Sequence, residues 1–172
     1  GYFSNDTVFV QKITADGSKE TVKCYNASSV DEQIYRGGVK IQKRDQETKK
    51  AEPQGSATLE GAEFTITTLN EHPVIVEDKT YTKDQVVMNL VTDENGLAST
   101  AKDALPFGHY RVDETKSPKG YLNVGTISIE FDITKNAEIV ELTAEDSSIL
   151  NQVMRGDLEL VKVSDGEQKR LS

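Results

Sequence analysis

The chain has 172 residues, 35% of them hydrophobic and 28% charged, and carries a net charge of -9. That acidity excludes nucleic acid, whose phosphates require a basic face, and disfavours anionic membrane surfaces. No apolar run is long enough to insert in a bilayer, no leader is read at the start, and the single cysteine, Cys24, has no intrachain partner for a disulfide.

Taken in chain order, the sequence reads as strands throughout. Apolar and polar residues alternate over 7–13, 39–43, 63–67, 74–76, 86–91, 110–114, 126–133, 138–142, 149–153 and 158–163. Turn residues separate these runs at Asp16-Gly17, Asp93-Glu94-Asn95-Gly96, Pro106-Phe107-Gly108, Ser117-Pro118-Lys119-Gly120 and Lys135-Asn136. Residues 46–58 form a polar loop, and no window holds a helical stripe. Val30 to Tyr35 is the nearest approach to a helix and fits a strand equally well. Many short strands at close spacing predict an all-β antiparallel fold, either a sandwich of Greek-key, immunoglobulin-like type or a Greek-key barrel.

Three polar residues break the alternation on its apolar phase. Lys43 follows Val39 and Ile41, Glu114 follows Tyr110 and Val112, and Asn151 lies between Ile149 and Val153. Side chains two apart on a strand share a face, so all three are predicted to point inward. Burying one ionised group alone is costly, and this pattern buries two beside an amide. A lysine can condense with an asparagine when a buried carboxylic acid manages the protons.

The remaining reactive residues read as ordinary. Cys24 has no nearby histidine and is expected to be a small strand residue, while His72 and His109 sit beside Pro or Gly in turns. Asp93 and Asn95 before Gly96 fit a type I′-like turn better than a calcium loop, since the other ligands of such a loop are missing. Lys116 and Lys119 read as solvated turn charges. No metal and no cofactor is expected. A two-carboxylate hydrolase using Asp113 and Glu114 fails because adjacent strand residues face opposite ways.

An internal repeat sets the organisation. A shift of 119 residues lays Gly1-Tyr2 on Gly120-Tyr121, Gln33 on Gln152, Arg36-Gly37 on Arg155-Gly156 and Lys43 on Lys162, without a gap. Residues 1–36 are therefore expected to be the C-terminal half of one repeat, 37–156 a complete domain, and 157–172 the first strand of a third. Glu32 matches Asn151, so no cross-link is expected in the first copy. Lys162 is the candidate cross-link lysine of the next.

Residues 38–45 (Gly-Val-Lys-Ile-Gln-Lys-Arg-Asp), 59–64 (Leu-Glu-Gly-Ala-Glu-Phe), 92–96 (Thr-Asp-Glu-Asn-Gly) and 105–121, with Tyr110-x-Val112-x-Glu114-x-x-x-Pro118-x-Gly120-Tyr121, occur in order before Asn151. Together they resemble the collagen-adhesin B-type (Cna B-type, SpaA-like) domains of Gram-positive surface adhesins and pilins. The resemblance covers 37–156 and implies a prealbumin-like sandwich. It also implies an isopeptide bond from Lys43 to Asn151, with Glu114 as the catalyst of that single turnover; this is structure-building chemistry and not an enzyme activity. The expected function is a stalk or spacer on the cell wall of a Gram-positive bacterium. The expected partners are neighbouring repeats of the same chain, host extracellular matrix or other pilin subunits. A buried Lys43–Glu114 ion pair without condensation is the rival. A ligand-binding module using loops 46–58 or 69–84 is the alternative function.

Overall fold

The computed structural model describes residues 1–4, 32–123, 127–142 and 149–160. The described residues form strands, turns and loops. In chain order the strands are β1 (Arg36–Gln42), β2 (Arg44–Asp45), β3 (Glu63–Thr68), β4 (Val74–Val76), β5 (Lys79–Tyr81), β6 (Val86–Val91), β7 (Leu97–Ser99), β8 (Leu105–Pro106), β9 (Gly108–Lys116), β10 (Ser128–Ile133), β11 (Ile139–Leu142) and β12 (Leu150–Asn151).

Two four-stranded sheets make the body. One orders β10-β9-β3-β6 and is antiparallel throughout. The other orders β11-β1-β7, with β8 also pairing to β1. Inward residues of both sheets, among them Val39, Ile41, Phe64, Ile66, Val112 and Phe131, form one apolar core. The alternation that placed these residues on one phase is the reason they meet.

The expected antiparallel sandwich carries two parallel pairings. β1 runs parallel to β11, with Val39 opposite Val140, and β2 runs parallel to β12, with Asp45 opposite Asn151. The first and last strands of the domain thus lie side by side. Between β1 and β2 the chain leaves the ladder for one residue. Lys43 is that residue, and its N–H is taken by the Gly96 carbonyl at 2.8 Å.

The turn supplying that carbonyl is not type I′. Among its four residues only Gly96 has a positive φ, 71°. The Gly96 N–H bonds the Asp93 carbonyl at 2.9 Å, and the Asp93 carboxylate accepts from the N–H groups of Asn95 and Leu97. Asp at the first position and Gly at the fourth are the preferences of a type I turn. A Cβ on Gly96 would stand 2.8 Å from the Leu59 side chain, so the close approach also requires glycine.

Four short strands, β2, β5, β7 and β8, lie outside the predicted runs. The expected strand 158–163 is not one where it is described: residues 158–160 lie in no strand and are exposed. Glu32, which the 119-residue shift lays on the buried Asn151, is exposed. The β2 and β9 cover that shields Asn151 has no counterpart over Glu32 among the described residues. The predicted strand 7–13, Cys24 and Lys162 lie outside the described residues.

Candidate functional site

Lys43, Glu114 and Asn151 come together between the sheets. Their exposures are 0%, 5% and 1%, so water does not solvate the pair of ionisable groups. Glu114 arrives from β9 on the same phase as Tyr110 and Val112, and Asn151 from β12. The Lys43 side chain crosses the core to meet Glu114 in the opposite sheet.

The geometry centres on the Glu114 carboxylate. Lys43 Nζ donates to Oε2 at 3.0 Å and lies 2.9 Å from Oε1 as an ion contact. Asn151 Nδ2 donates to the same Oε2 at 3.3 Å, to Ser117 Oγ at 3.2 Å and to the Leu122 carbonyl at 3.2 Å. One carboxylate oxygen therefore bridges amine and amide. The Phe64 ring lies under the ammonium, its centroid 5.8 Å from Nζ. Burial lowers the Lys43 pKa below the ordinary 10.5, and the neighbouring Glu114 charge and hydrogen bond only partly oppose it.

Among the described residues, Asn151 Oδ1 is buried with no donor, while Glu114 Oε1 accepts no aligned hydrogen bond but is met by the Lys43 ammonium at 2.9 Å. Buried polar atoms are nearly always paired, so the unmet amide oxygen marks chemistry or strain. A carbonyl oxygen with nothing donating to it is free to accept from a protonated acid.

A second buried polar cluster adjoins the first. Asp45, two residues after Lys43 on the same phase, is fully buried. It accepts from Tyr121 Oη at 3.0 Å, from Gln54 Nε2 at 3.0 Å, and from the N–H groups of Glu47 and Thr48 at 2.9 Å each. Burial alone would raise the Asp45 pKa, but the hydrogen bonds from Thr48, Gln54, Tyr121 and Glu47 outweigh it and hold the carboxyl below its usual value. The Tyr121 hydroxyl is pushed up to about 12 by burial and by Asp45. Because Asp45 stands opposite Asn151 in the β2–β12 register, this cluster fixes the strand that carries the amide. Sequence reasoning placed Asp45 and Tyr121 within motifs but gave them no role. The signal was there, since Asp45 continues the phase of Val39, Ile41 and Lys43.

Other candidates fall elsewhere. Asp113 faces away from Glu114 and is held by Arg111 and by Ser128 Oγ. His109 bonds Asp132 and Glu130 on the outer face of β9, and His72 is exposed. Lys116 pairs with Glu63 at the surface. Gln54 draws the predicted polar loop 46–58 back onto Asp45, while 69–84 contains the β4–β5 hairpin.

Comparison with known proteins agrees with this architecture. A family model described as SpaA, a prealbumin-like fold domain, matches residues 37–148. Among solved structures, the chain is similar to the Bacillus anthracis TIE protein, with 25% identity, TM-score 0.48, and coverage of 72% of this chain and 18% of that one. It is similar to BcpA, the major pilin subunit of Bacillus cereus, with 25% identity, TM-score 0.45 and coverage of 70% and 31%. It is also similar to the full-length major pilin SpaD from Corynebacterium diphtheriae, with 20% identity, TM-score 0.41 and coverage of 69% and 30%. The chain thus spans less than a third of the length of each. No curated protein matches the sequence. The family match spans well over half of the chain, and the chain belongs to the SpaA family of prealbumin-like domains.

Proposed function

We propose that this domain is a structural segment of a surface stalk or pilus on a Gram-positive bacterium, locked by an isopeptide bond between Lys43 and Asn151. The carrying observation is the single Glu114 oxygen that bridges Lys43 Nζ and Asn151 Nδ2 in a buried site.

The chemistry follows from that bridge. Proton transfer from the Lys43 ammonium to Glu114 leaves a neutral amine and a neutral acid, which the dry interior favours over two charges. The amine attacks Asn151 Cγ, and the new C–N bond forms as the bond from Cγ to Nδ2 breaks. Glu114 donates its proton to the departing nitrogen, which leaves as ammonia after the attacking nitrogen gives up its own proton through the same carboxyl. The net change is amine plus primary amide to secondary amide plus ammonia, with the carboxyl restored. Folding turns this encounter into an intramolecular one, for which effective molarities reach ~10⁵ M or more.

The parallel β2–β12 pairing supports the mechanical part of the reading. A bond between Lys43 and Asn151 joins the first strand region to the last, so tension passes through it and bypasses the sheets. The partners in this reading are neighbouring domains of the same chain and other subunits of the assembly.

Intact mass is the test. The folded chain should weigh one ammonia less than its sequence, and Lys43→Ala or Asn151→Ala should restore the full mass. A full mass in folded wild-type protein overturns the bond and leaves the buried Lys43–Glu114 ion pair, which the 2.9 Å contact also supports, as the function of the site.

A further inference from the structure

We infer that the Ser117 hydroxyl and the Leu122 carbonyl form a seat for the leaving group of the condensation: they hold the two hydrogens of Asn151 Nδ2, free Glu114 to change from acceptor to donor, and release ammonia on the solvent side of the site. This role rests on the isopeptide reading and gives Ser117 a part in the reaction that Lys43, Glu114 and Asn151 do not cover.

Local sequence builds the seat. β9 ends at Lys116, and Ser117-Pro118-Lys119-Gly120 turns the chain, with the Tyr121 N–H on the Pro118 carbonyl at 3.2 Å. Residues 120–122 then run against 152–154. The Met154 N–H donates to the Gly120 carbonyl at 2.8 Å, the Leu122 N–H donates to the Gln152 carbonyl at 2.7 Å, and Tyr121 bridges Val153 antiparallel. Both ends of the turn thereby reach the side chain of Asn151: Ser117 Oγ and the Leu122 carbonyl each lie 3.2 Å from Nδ2.

These partners decide which end of the amide faces them. A backbone carbonyl only accepts, so the atom against Leu122 is the NH2 group. The Ser117 hydroxyl donates to that same carbonyl at 3.4 Å, which leaves its lone pairs for Nδ2. Oδ1 is turned the other way, and it is the buried atom that no donor meets. The leaving nitrogen and the carbonyl are thus held in fixed directions before any bond forms.

The donor count explains why the hydroxyl matters. Nδ2 carries two hydrogens and has three acceptors, of which Glu114 Oε2 at 3.3 Å is the longest. Two neutral acceptors suffice for two hydrogens. Once Glu114 has taken the Lys43 proton it can therefore stop accepting from the amide and turn that proton toward it, first to the unmet Oδ1. Addition of Lys43 Nζ to Cγ makes Nδ2 tetrahedral and gives it a lone pair, which takes the Glu114 proton. The bond from Cγ to Nδ2 then breaks with its electron pair on nitrogen, and ammonia leaves with two hydrogens still on the seat. Without the hydroxyl, one N–H would hold Glu114 as its acceptor and compete with proton delivery. Lys43 is fully buried, whereas Ser117 is half-buried and Leu122 is 37% exposed, so the way out lies beside the leaving atom.

The test follows ammonia loss in time, by intact mass of the 172-residue chain sampled during cell-free translation. Ser117→Ala should lose ammonia at least about threefold more slowly than wild type, as expected for one neutral hydrogen bond lost from the barrier. Ser117→Thr keeps the hydroxyl and should restore the rate. After ammonia has gone the hydroxyl has no leaving group to hold, so fully reacted Ser117→Ala should melt within about 2 °C of reacted wild type. Equal rates in wild type and Ser117→Ala overturn the inference. So does a slowing that Ser117→Thr does not relieve, or one joined to a clearly lower melting temperature of the reacted protein, which makes Ser117 a packing residue. Folded wild-type protein that keeps its full mass overturns the isopeptide reading itself, and that outcome is distinct because the variants are judged only on the rate of a loss the wild type shows.

Discussion

Lys43 is buried for a reason only its neighbours supply. A lone ammonium in this core would cost several kcal/mol, and Glu114 offsets that cost only while both stay charged or both become neutral. In Glu114→Ala the amine and amide remain but nothing takes or returns a proton, and condensation should stop, as intact mass would show. In Asn151→Ala the amine has no acyl acceptor, and the site titrates instead. The folded-state pKa of Lys43 lies below 10.5, so between those two values the unfolded chain binds a proton that the folded chain has shed. Stability of Asn151→Ala should therefore rise as pH climbs through that window toward 10.5, measured by denaturant unfolding across the alkaline range. Asp45 acts at the other end. Its folded pKa lies below the ordinary 3.8, so its contribution is present above that value and is lost as pH falls below it. Asp45→Asn should flatten the acid limb of the stability curve.

At the level of elements, β1, β2 and β12 carry the argument. The ladder breaks for one residue at Lys43, and β2 then re-pairs with the strand that bears Asn151. Tyr121 and Gln54 lock that pairing by bonding the Asp45 carboxylate, which ties the loop before β3 and the turn after β9 to it. Gly120, with φ at 88° and the Ala57 side chain 2.6 Å from where a Cβ would stand, sets the turn that delivers Tyr121. Tyr121→Phe keeps the packing and removes one hydrogen bond to a buried charge. It should cost about 1.5–3 kcal/mol in urea unfolding. It should also slow ammonia loss if β12 is held in register by this cluster. An unchanged rate would show that the β2–β12 backbone bonds suffice.

For the whole molecule the proposed cross-link carries the largest stability prediction. Joining positions 43 and 151 closes a loop of about 109 residues, for which chain entropy gives roughly 4–5 kcal/mol by analogy with a disulfide. Domains of this size are stable by roughly 5–15 kcal/mol in total, so the bond is a large share. Glu114→Ala should lower the melting temperature by well over about 10 °C, at about 4–8 °C per kcal/mol, and should open the core to trypsin. Equal melting and equal resistance in wild type and variant would remove the mechanical role of the bond.

Period-2 alternation by itself determined that the chain is all-β and that Lys43, Glu114 and Asn151 share a face with Val39, Val112 and Ile149, because side-chain phase is a local property of a strand. The same phase marked Asp45, and the 119-residue shift marked the equivalence of Tyr2 and Tyr121. Pairing was a different matter. That β1 lies parallel to β11, and β2 parallel to β12, is set by which sheets pack and where the chain crosses between them, and no run of residues encodes it alone. Strands of two or three residues, such as β5, β7 and β8, are too short to show alternation; their partners hold them extended. Glu32 and Leu158 carry an inward phase yet are exposed, since phase says which face a residue is on and only a covering layer makes that face a core. Tertiary structure alone put one Glu114 oxygen between the amine and the amide.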